Sequence, residues 1–191
     1  GIEKADVNGT GTLTIKDDVN DDGSEKTGTE ADTTGKLVAG GFYNGAAIGG
    51  GGTDDTASTS NIRITGGDIT ASGGYYGAGI GAGCYGDASN IRIEGNAHVT
   101  AFADGSAAIG SGYHARGNSD ITITDHATVE AAGLDGCAIG SGHDSSDKVT
   151  ITISGNASVN AQTRNSPAAI GSDESSATVN IEDHADVTAV G

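Results

Sequence analysis

The stretch Gly77-Ala78-Gly79-Ile80-Gly81 decides the fold, because closely similar phrases occur four more times along the chain. We call it the repeat phrase; its other copies are Gly45-Ala46-Ala47-Ile48-Gly49, Ser106-Ala107-Ala108-Ile109-Gly110, Gly136-Cys137-Ala138-Ile139-Gly140 and Pro167-Ala168-Ala169-Ile170-Gly171. The central isoleucines follow one another at intervals of 32, 29, 30 and 31 residues. A fixed period in this range indicates stacked structural units, none of which buries its apolar side alone.

Two more short apolar pieces follow each copy, such as Ile121-Thr122-Ile123 and Thr128-Val129-Glu130-Ala131 in the fourth unit. Within these pieces Ile, Val and Ala alternate with polar residues, which is the pattern of a strand with one buried face. With no helical periodicity anywhere, the sequence predicts an all-β, single-stranded parallel β-helix. We expect about six coils of about 30 residues with three short strands in each. A right-handed winding is favoured, because right-handed parallel crossovers dominate.

We expect one β-helix domain over residues 1–191, with an irregular first coil in residues 1–47 and regular coils in residues 48–191. The first coil is irregular because it contains an acidic loop, residues 16–36, between its second and third strands. The chain begins at Gly1 without an initiator Met or a signal peptide, which indicates a trimmed or longer parent.

The composition limits the classes of function. The chain has 34 glycines, seven aromatic residues and a net charge of −17. We do not expect the chain to bind nucleic acid, because such binding requires Lys and Arg to neutralise phosphates. Membrane insertion is not expected either, because no apolar run approaches the roughly 18 residues that a span needs. No disulfide is expected between Cys84 and Cys137, and Cys137 takes the place of a core alanine.

The glycines of the repeat phrase are interpreted as structural. Gly77, Gly79 and Ala82 satisfy a loose dinucleotide-binding pattern, but that motif requires a following helix. We expect the isoleucine to face the core and the small residues to leave one side of the solenoid nearly bare of side chains. This bare strip is the predicted floor of a binding surface.

Aromatic and polar residues flank the repeat phrase on both sides and suit a polysaccharide, whose rings stack on tyrosine and whose hydroxyls need polar partners. The alternative is that these are corner residues whose rings cover the narrow core. The candidate glycan contacts are Tyr43, Tyr75, Tyr76, Tyr85, Tyr113, His114, His143, Asp144, Asp173 and Glu174.

A calcium site is a second candidate. Asp18-Val19-Asn20-Asp21-Asp22-Gly23-Ser24 matches the start of a calcium loop, with oxygen ligands at Asp18, Asn20 and Asp22. Glu25 lies close by, whereas the twelfth position is Thr29 rather than Glu. A solvated acidic loop is the alternative interpretation.

Charged residues on the strands suggest one ion pair and no defined active site. Arg63 and Arg92 fall at equivalent positions of successive coils, and this like-charge pair needs a carboxylate, for which Glu94 is the nearest candidate. Polysaccharide cleavage would use acidic pairs, for which Asp144, Asp173 and Glu174 are available. We assign no catalytic residue and favour a non-enzymatic role.

The combination of Gly-Ala-Gly-Ile-Gly, Ile-x-Ile and Val-Thr-Ala resembles the β-helix repeats of large adhesin-like or carbohydrate-binding surface proteins of Gram-positive bacteria. The resemblance covers residues 45–191 well and residues 1–44 in part. It implies an extracellular or bacterial cell-surface location and a structural or adhesive role.

Three hypotheses about function remain open at this point. The leading one is a non-catalytic extracellular surface module that contacts a glycan. The first alternative is a self-assembling protein whose uncapped end coils stack into a filament, because neither end shows a capping element. The second alternative is a polysaccharide lyase or hydrolase.

Overall fold

The computed structural model describes residues 2–3, 11–17, 35–52 and 57–191, and these residues form an all-β structure. They contain eighteen strands, which belong to three parallel sheets of six strands each. No helix that is long and apolar enough to cross a membrane occurs in this part of the chain.

Each coil contributes one strand to each sheet. Sheet one consists of β1 (Ile2–Glu3), β4 (Ile48–Gly49), β7 (Ile80–Gly81), β10 (Ile109–Gly110), β13 (Ile139–Gly140) and β16 (Ile170–Gly171). Sheet two consists of β2 (Leu13–Ile15), β5 (Thr59–Ile64), β8 (Ala88–Ile93), β11 (Asn118–Ile123), β14 (Lys148–Ile153) and β17 (Ala177–Ile181). Sheet three consists of β3 (Lys36–Gly40), β6 (Asp68–Ser72), β9 (His98–Ala103), β12 (Thr128–Gly133), β15 (Ser158–Thr163) and β18 (Asp186–Val190).

The pairing register follows the sequence repeat. Ile80 of β7 pairs with Ile48 on one side and with Ile109 on the other. Ile2 pairs with Ile48, and the strand that begins at Leu13 pairs with the one containing Ile62–Ile64. The single-stranded parallel β-helix predicted from the sequence is therefore confirmed. The right-handed winding stays a prediction.

The core is a narrow file of aliphatic side chains. In β14, Val149, Ile151 and Ile153 are buried while the intervening threonines lie on the other face. Burying one such side chain contributes about 1.5–3 kcal/mol. Because successive strand residues face opposite sides, a register slip of one residue would expose all of these aliphatic side chains.

The repeat phrase lies inside the molecule, and the expectation of a bare outer strip is wrong. All residues from Gly77 to Cys84 are buried. Gly81 has a φ of 139°, and a Cβ atom at this position would overlap the carbonyl oxygen of Gly110 in the next coil. The glycines therefore allow neighbouring coils to approach closely.

The expected ion pair on sheet two is confirmed. Arg63 and Arg92 are register partners, and both guanidinium groups contact the carboxylate of Glu94. The Arg92 Nε atom lies 3.2 Å from Glu94 Oε2. One nearly buried carboxylate thus separates two cations that the register would otherwise place side by side.

Both thiols are buried and neither forms a disulfide. Cys137 is wholly buried, and its Sγ atom lies 3.6 Å from Ser166 Oγ. Burial raises the pKa of the Cys137 thiol, which keeps the group neutral. Its interpretation as a small core residue in an alanine position is confirmed.

One carboxyl group is buried without a hydrogen bond. Asp147 is fully buried, and neither of its carboxyl oxygens has a hydrogen-bond partner. Burial raises the pKa of Asp147 and is the largest influence on it; the Ser119 and Ser111 hydroxyls oppose part of that rise, although no hydrogen bond of normal geometry joins them to the carboxyl oxygens. A buried acid in this setting destabilises the fold once it ionises.

Candidate functional site

The two-residue strands β4, β7, β10 and β13 of sheet one are each the tip of a narrow loop. The backbone N–H of Ala78 donates to the carbonyl oxygen of Ala82 at 2.9 Å, so the segments before and after Ile80-Gly81 lie side by side. We call these segments the leading arm and the trailing arm of a coil. The same hydrogen bond closes the next loop, from Ala107 to Ser111 at 3.2 Å.

Arms of successive coils are also hydrogen-bonded to each other. The Tyr113 N–H, in a trailing arm, donates to the Tyr76 carbonyl in the leading arm of the preceding coil at 3.3 Å. The His143 N–H donates in the same way to the Gly105 carbonyl at 3.2 Å. Residues that the sequence places on opposite sides of the repeat phrase therefore meet along one edge of the molecule.

Seven aromatic rings form a connected line along this edge, which we call the aromatic ridge. Its members are Tyr43, Tyr75, Tyr76, Tyr85, Tyr113, His114 and His143. The main path runs from Tyr43 to Tyr76, Tyr113 and His143, with centroid separations of 5.5, 4.7 and 6.0 Å. The ridge thus spans four successive coils.

Three ridge tyrosines project into solvent. Tyr43, Tyr75 and Tyr85 are 56%, 49% and 59% exposed. The Tyr85 ring stacks on the imidazole of His114 at 5.7 Å, with an angle of 15° between the planes. These rings therefore offer flat apolar surface outside the core.

The backbone of the trailing arm is unusual at the ridge. Tyr85, His114 and Asp144 occupy equivalent positions in three coils, with φ values of 68°, 59° and 52°. Positive φ is uncommon for residues other than glycine and costs about 1–3 kcal/mol at each position. Backbone hydrogen bonds between coils hold the conformation, for example from the Tyr85 N–H to the Tyr113 carbonyl at 2.7 Å.

A hydrogen-bonded group lies at one end of the ridge. The Tyr113 hydroxyl donates to Asp144 Oδ2 at 3.0 Å, and His143 Nε2 lies 3.7 Å from Asp144 Oδ1. His143 Nδ1 lies 3.0 Å from Asp173 Oδ2, and His114 Nδ1 lies 3.0 Å from the Asp144 carbonyl oxygen. The imidazole of His143 therefore lies between two carboxylates.

Asp173 holds the hydrogen-bonded side chains at this end of the ridge in place from a nearly buried position. Its side chain is only 6% exposed, and its Oδ2 atom also accepts a hydrogen bond from the Asp144 backbone N–H at 3.1 Å. The hydroxyl of Ser166 donates to Asp173 Oδ1 at 3.3 Å, and Ser141 Oγ accepts from the Asp173 N–H at 2.7 Å. Asp173 thus positions His143 and Asp144 rather than facing solvent itself.

The tyrosines at the centre of the ridge remain neutral at physiological pH. Burial and the hydrogen bond to Asp144 raise the pKa of Tyr113 to about 12. Burial, followed by the neighbouring Tyr43 and Tyr75, also raises the pKa of Tyr76. A neutral phenol can both donate and accept a hydrogen bond, which suits contact with hydroxyl groups.

Comparison with known proteins identifies the repeating unit. Residues 62–84, 91–113 and 121–143 match the family model described as beta helix repeat. The chain contains a β-helix repeat region. No curated protein and no solved structure matches the chain.

Each matched β-helix repeat begins on sheet two and ends in a trailing arm. The three matches end at Cys84, Tyr113 and His143. Each of these residues lies the same number of positions after the isoleucine of its repeat phrase. Tyr85, Tyr113, His114 and His143 of the ridge therefore lie at or directly after the end of a matched repeat, whereas Tyr75 and Tyr76 lie inside one.

The β-helix repeat region brings nine of the ten candidate glycan residues into the ridge and its polar end, while Glu174 lies exposed next to Asp173. Ser166 is the supporting residue that sequence reasoning missed, whereas an inward position for Ser141 follows from its place just after the repeat phrase. The signal for Ser166 is weak, because serine is common throughout the chain and only the stacked coils place it beside Asp173.

The calcium candidates Asp18, Asn20, Asp22 and Glu25 lie outside the described residues, so this site stays a prediction. Among the residues that are described, no group of three or more His, Cys, Asp or Glu side chains is arranged to hold a metal ion.

Proposed function

We propose that this β-helix repeat region is a non-catalytic, extracellular module that binds a glycan along the aromatic ridge. The observation that carries the proposal is the line of seven aromatic rings across four coils, three of them about half exposed. With coils about 4.8 Å apart, the ridge is about 14 Å long. That length suits an extended chain of several sugars better than a single compact ligand.

The chemistry of the ridge matches the two faces of a sugar. Exposed faces of Tyr43, Tyr75 and Tyr85 can stack against the C–H face of a pyranose ring. Neutral phenols and the half-exposed Asp144 supply donors and acceptors for hydroxyl groups. With a net charge of −17, the chain favours neutral over anionic glycans.

Support for the non-catalytic part comes from Asp173, whose carboxylate is almost buried and already accepts several hydrogen bonds. Extracellular display rests on the acidic composition and on the resemblance to bacterial surface repeats. Assays of reducing-end release in the same incubations test the hydrolase and lyase alternative, which would require products to accumulate.

The binding test uses a polysaccharide array followed by calorimetry on the strongest hit. Tyr75→Ala and Tyr85→Ala are expected to weaken binding at least about tenfold each, which corresponds to the loss of one stacked ring. Val38→Ala, an exposed apolar change on sheet three, is the control and should bind as the parent does. Unchanged binding by both tyrosine variants would contradict the proposal.

A second candidate function, end-to-end self-association, is supported by the last coil. Inward-facing residues of β17 are exposed, with Val179 at 39% and Ile181 at 54%. The outer edge of the last coil pairs with no strand in the described residues. The first coil presents similar half-buried side chains, Leu13 and Ile15, which a second copy could cover by continuing the sheets.

Sedimentation and electron microscopy of this 191-residue chain over a range of concentrations test self-association. Ile181→Lys should abolish filaments, because it places a charge in the stacking surface. Val190→Lys is the matched control, since Val190 is also 54% exposed but faces outward on sheet three. A monomer at every concentration, or equal effects of both lysines, would rule out stacking.

A further inference from the structure

The outer face of sheet three carries an exposed aromatic side chain, Phe102, between two small residues. The register places Ser72 on one side of Phe102 and Ala132 on the other, with Gln162 beyond Ala132. Phe102 is 46% exposed. Because strands lie about 4.8 Å apart, the backbones of Phe102 and Gln162 lie about 10 Å apart, and the small side chain of Ala132 leaves a gap between their side chains.

A second column on the same face supplies polar groups beside this gap. Residues two apart in a strand face the same side, so Thr100, Glu130 and Asn160 accompany Phe102, Ala132 and Gln162. Together these columns line an open depression of about 330 Å³, which we call the Phe102 notch. Its lining side chains are Thr100, Phe102, Glu130, Ala132, Asn160 and Gln162.

The polar side of the notch is partly preorganised. The Gln162 Nε2 atom donates to Asn160 Oδ1 at 3.2 Å. This bond orients both amides, so that Gln162 Oε1 can accept and Asn160 Nδ2 can donate to a ligand. Glu130 adds an acceptor and Thr100 adds a hydroxyl, while Phe102 offers a flat apolar surface.

We propose that the Phe102 notch binds one pyranose unit of a neutral saccharide, stacked on Phe102 and hydrogen-bonded to Glu130, Asn160 and Gln162. Its volume is at the lower end of the roughly 300–1,000 Å³ of small-molecule sites, which fits one or two sugar rings. The Glu130 carboxylate and the net charge of −17 oppose an anionic sugar. The notch does not depend on the proposed function of the ridge, because no ridge residue lines it.

Nuclear magnetic resonance titration of the ¹⁵N-labelled chain tests the proposal with three neutral probes: cellopentaose, mannopentaose and N-acetylchitopentaose. At least one should shift the amide signals of Phe102, Ala132 and Gln162. Ala132→Leu fills the gap with an outward side chain, and Phe102→Ala removes the stacking surface. Phe102→Ala is expected to weaken this binding at least about tenfold through the loss of one aromatic contact, and Ala132→Leu by a similar factor because its side chain occupies the space of the sugar ring.

The matched control is Val190→Ala, which lies in the same outward column beyond the notch and should leave the affinity within about twofold. The proposal is overturned if none of the three saccharides shifts the notch signals, or if Ala132→Leu binds as tightly as the parent. Equal binding of pentagalacturonate would overturn the preference for neutral sugars. Shifts confined to Tyr75 and Tyr85 would support the ridge and overturn the notch, and shifts confined to the notch would do the reverse.

Discussion

The repeat phrase and the aromatic ridge lie within a few residues of each other, yet they differ in how much their sequence varies. In every complete copy of the phrase an isoleucine is followed by glycine, and both are buried in the middle coils. Five residues after the isoleucines of the three middle copies, Ile80, Ile109 and Ile139, equivalent positions hold Tyr85, His114 and Asp144, all with positive φ. The repeat phrase keeps the same residues from coil to coil, whereas the ridge positions keep only the same backbone conformation.

The difference arises from what each region contacts. Gly110 leaves no room for a side chain, because the carbonyl of Gly140 in the next coil occupies that space. At Tyr85, His114 and Asp144 the side chains are exposed or partly exposed, so packing between coils restricts their chemistry less. Constant residues in this solenoid mark close approach of the backbone, and variable residues mark the surface available for recognition.

The largest expected effect comes from Gly110→Ala in the repeat phrase. The new methyl group would overlap the Gly140 carbonyl at a φ of 141°, so we expect a loss of about 3 kcal/mol in the free energy of unfolding. The melting temperature should fall by roughly 6–12 °C. Thermal unfolding followed by circular dichroism measures this change.

Two glycine variants separate the causes of that loss. Gly171→Ala has the same backbone, with a φ of 140°, but meets only ordinary contacts at 3.7 Å, so it should lose about 1–2 kcal/mol. Gly40→Ala has no atom within 4 Å and should change stability by less than about 0.5 kcal/mol. Equal losses for Gly110→Ala and Gly171→Ala would show that close approach does not explain the constant glycine.

Asp147→Asn is expected to raise the free energy of unfolding, by less than the glycine variant lowers it. It tests the cost of burying an ionisable carboxyl group in the segment that follows the ridge residues. Because the folded-state pKa is raised, the stability present with the acid protonated is lost as the pH rises through that pKa. Asparagine avoids this loss, so at pH 7 we expect a gain of about 1 kcal/mol and 2–4 °C in melting temperature. The gain should vanish near pH 3, where aspartate is protonated in both states.

Asp186→Asn is the matched control for this change, since Asp186 lies exposed on β18. It should alter stability by less than about 0.5 kcal/mol at either pH. A gain for Asp147→Asn that persists at pH 3 would show that the buried charge is not its cause.

The smallest effect concerns Tyr113 at the ridge and is read by ultraviolet absorbance during alkaline titration. One of the five tyrosines should ionise last, near its pKa of about 12. Since unfolded tyrosine ionises near pH 10, the corresponding stability should decline as the pH rises from about 10 to 12. Asp144→Asn should lower this pKa without returning it to 10, because burial is its largest cause.

Tyr113→Phe provides the control for the titration, because it should remove the last ionisation step and leave the earlier ones. If all five tyrosines titrate together near pH 10, the ridge phenols are more open to water than the structure indicates.

The regular coils could be predicted almost completely from the sequence. The pairing of Ile48 with Ile80 and of Leu13 with Ile62 follows from the repeat, and so does the contact of Arg63 and Arg92 with Glu94. The candidate site could be predicted only as a set of residues. Phe102 was missed although its alternation with Thr100 already indicated an outward aromatic side chain.

What the amino-acid sequence determined by itself is the fold, because identical residues at a fixed period permit only one register that keeps every isoleucine inside. Only the tertiary structure decided that the repeat phrase is buried and that the arms on either side of it meet. Those arms are joined by hydrogen bonds between coils, such as that from Tyr113 to Tyr76, across 37 residues of sequence. Such long-range contacts carry no local pattern, so the ridge and the buried support of Asp173 become visible only when the coils are stacked.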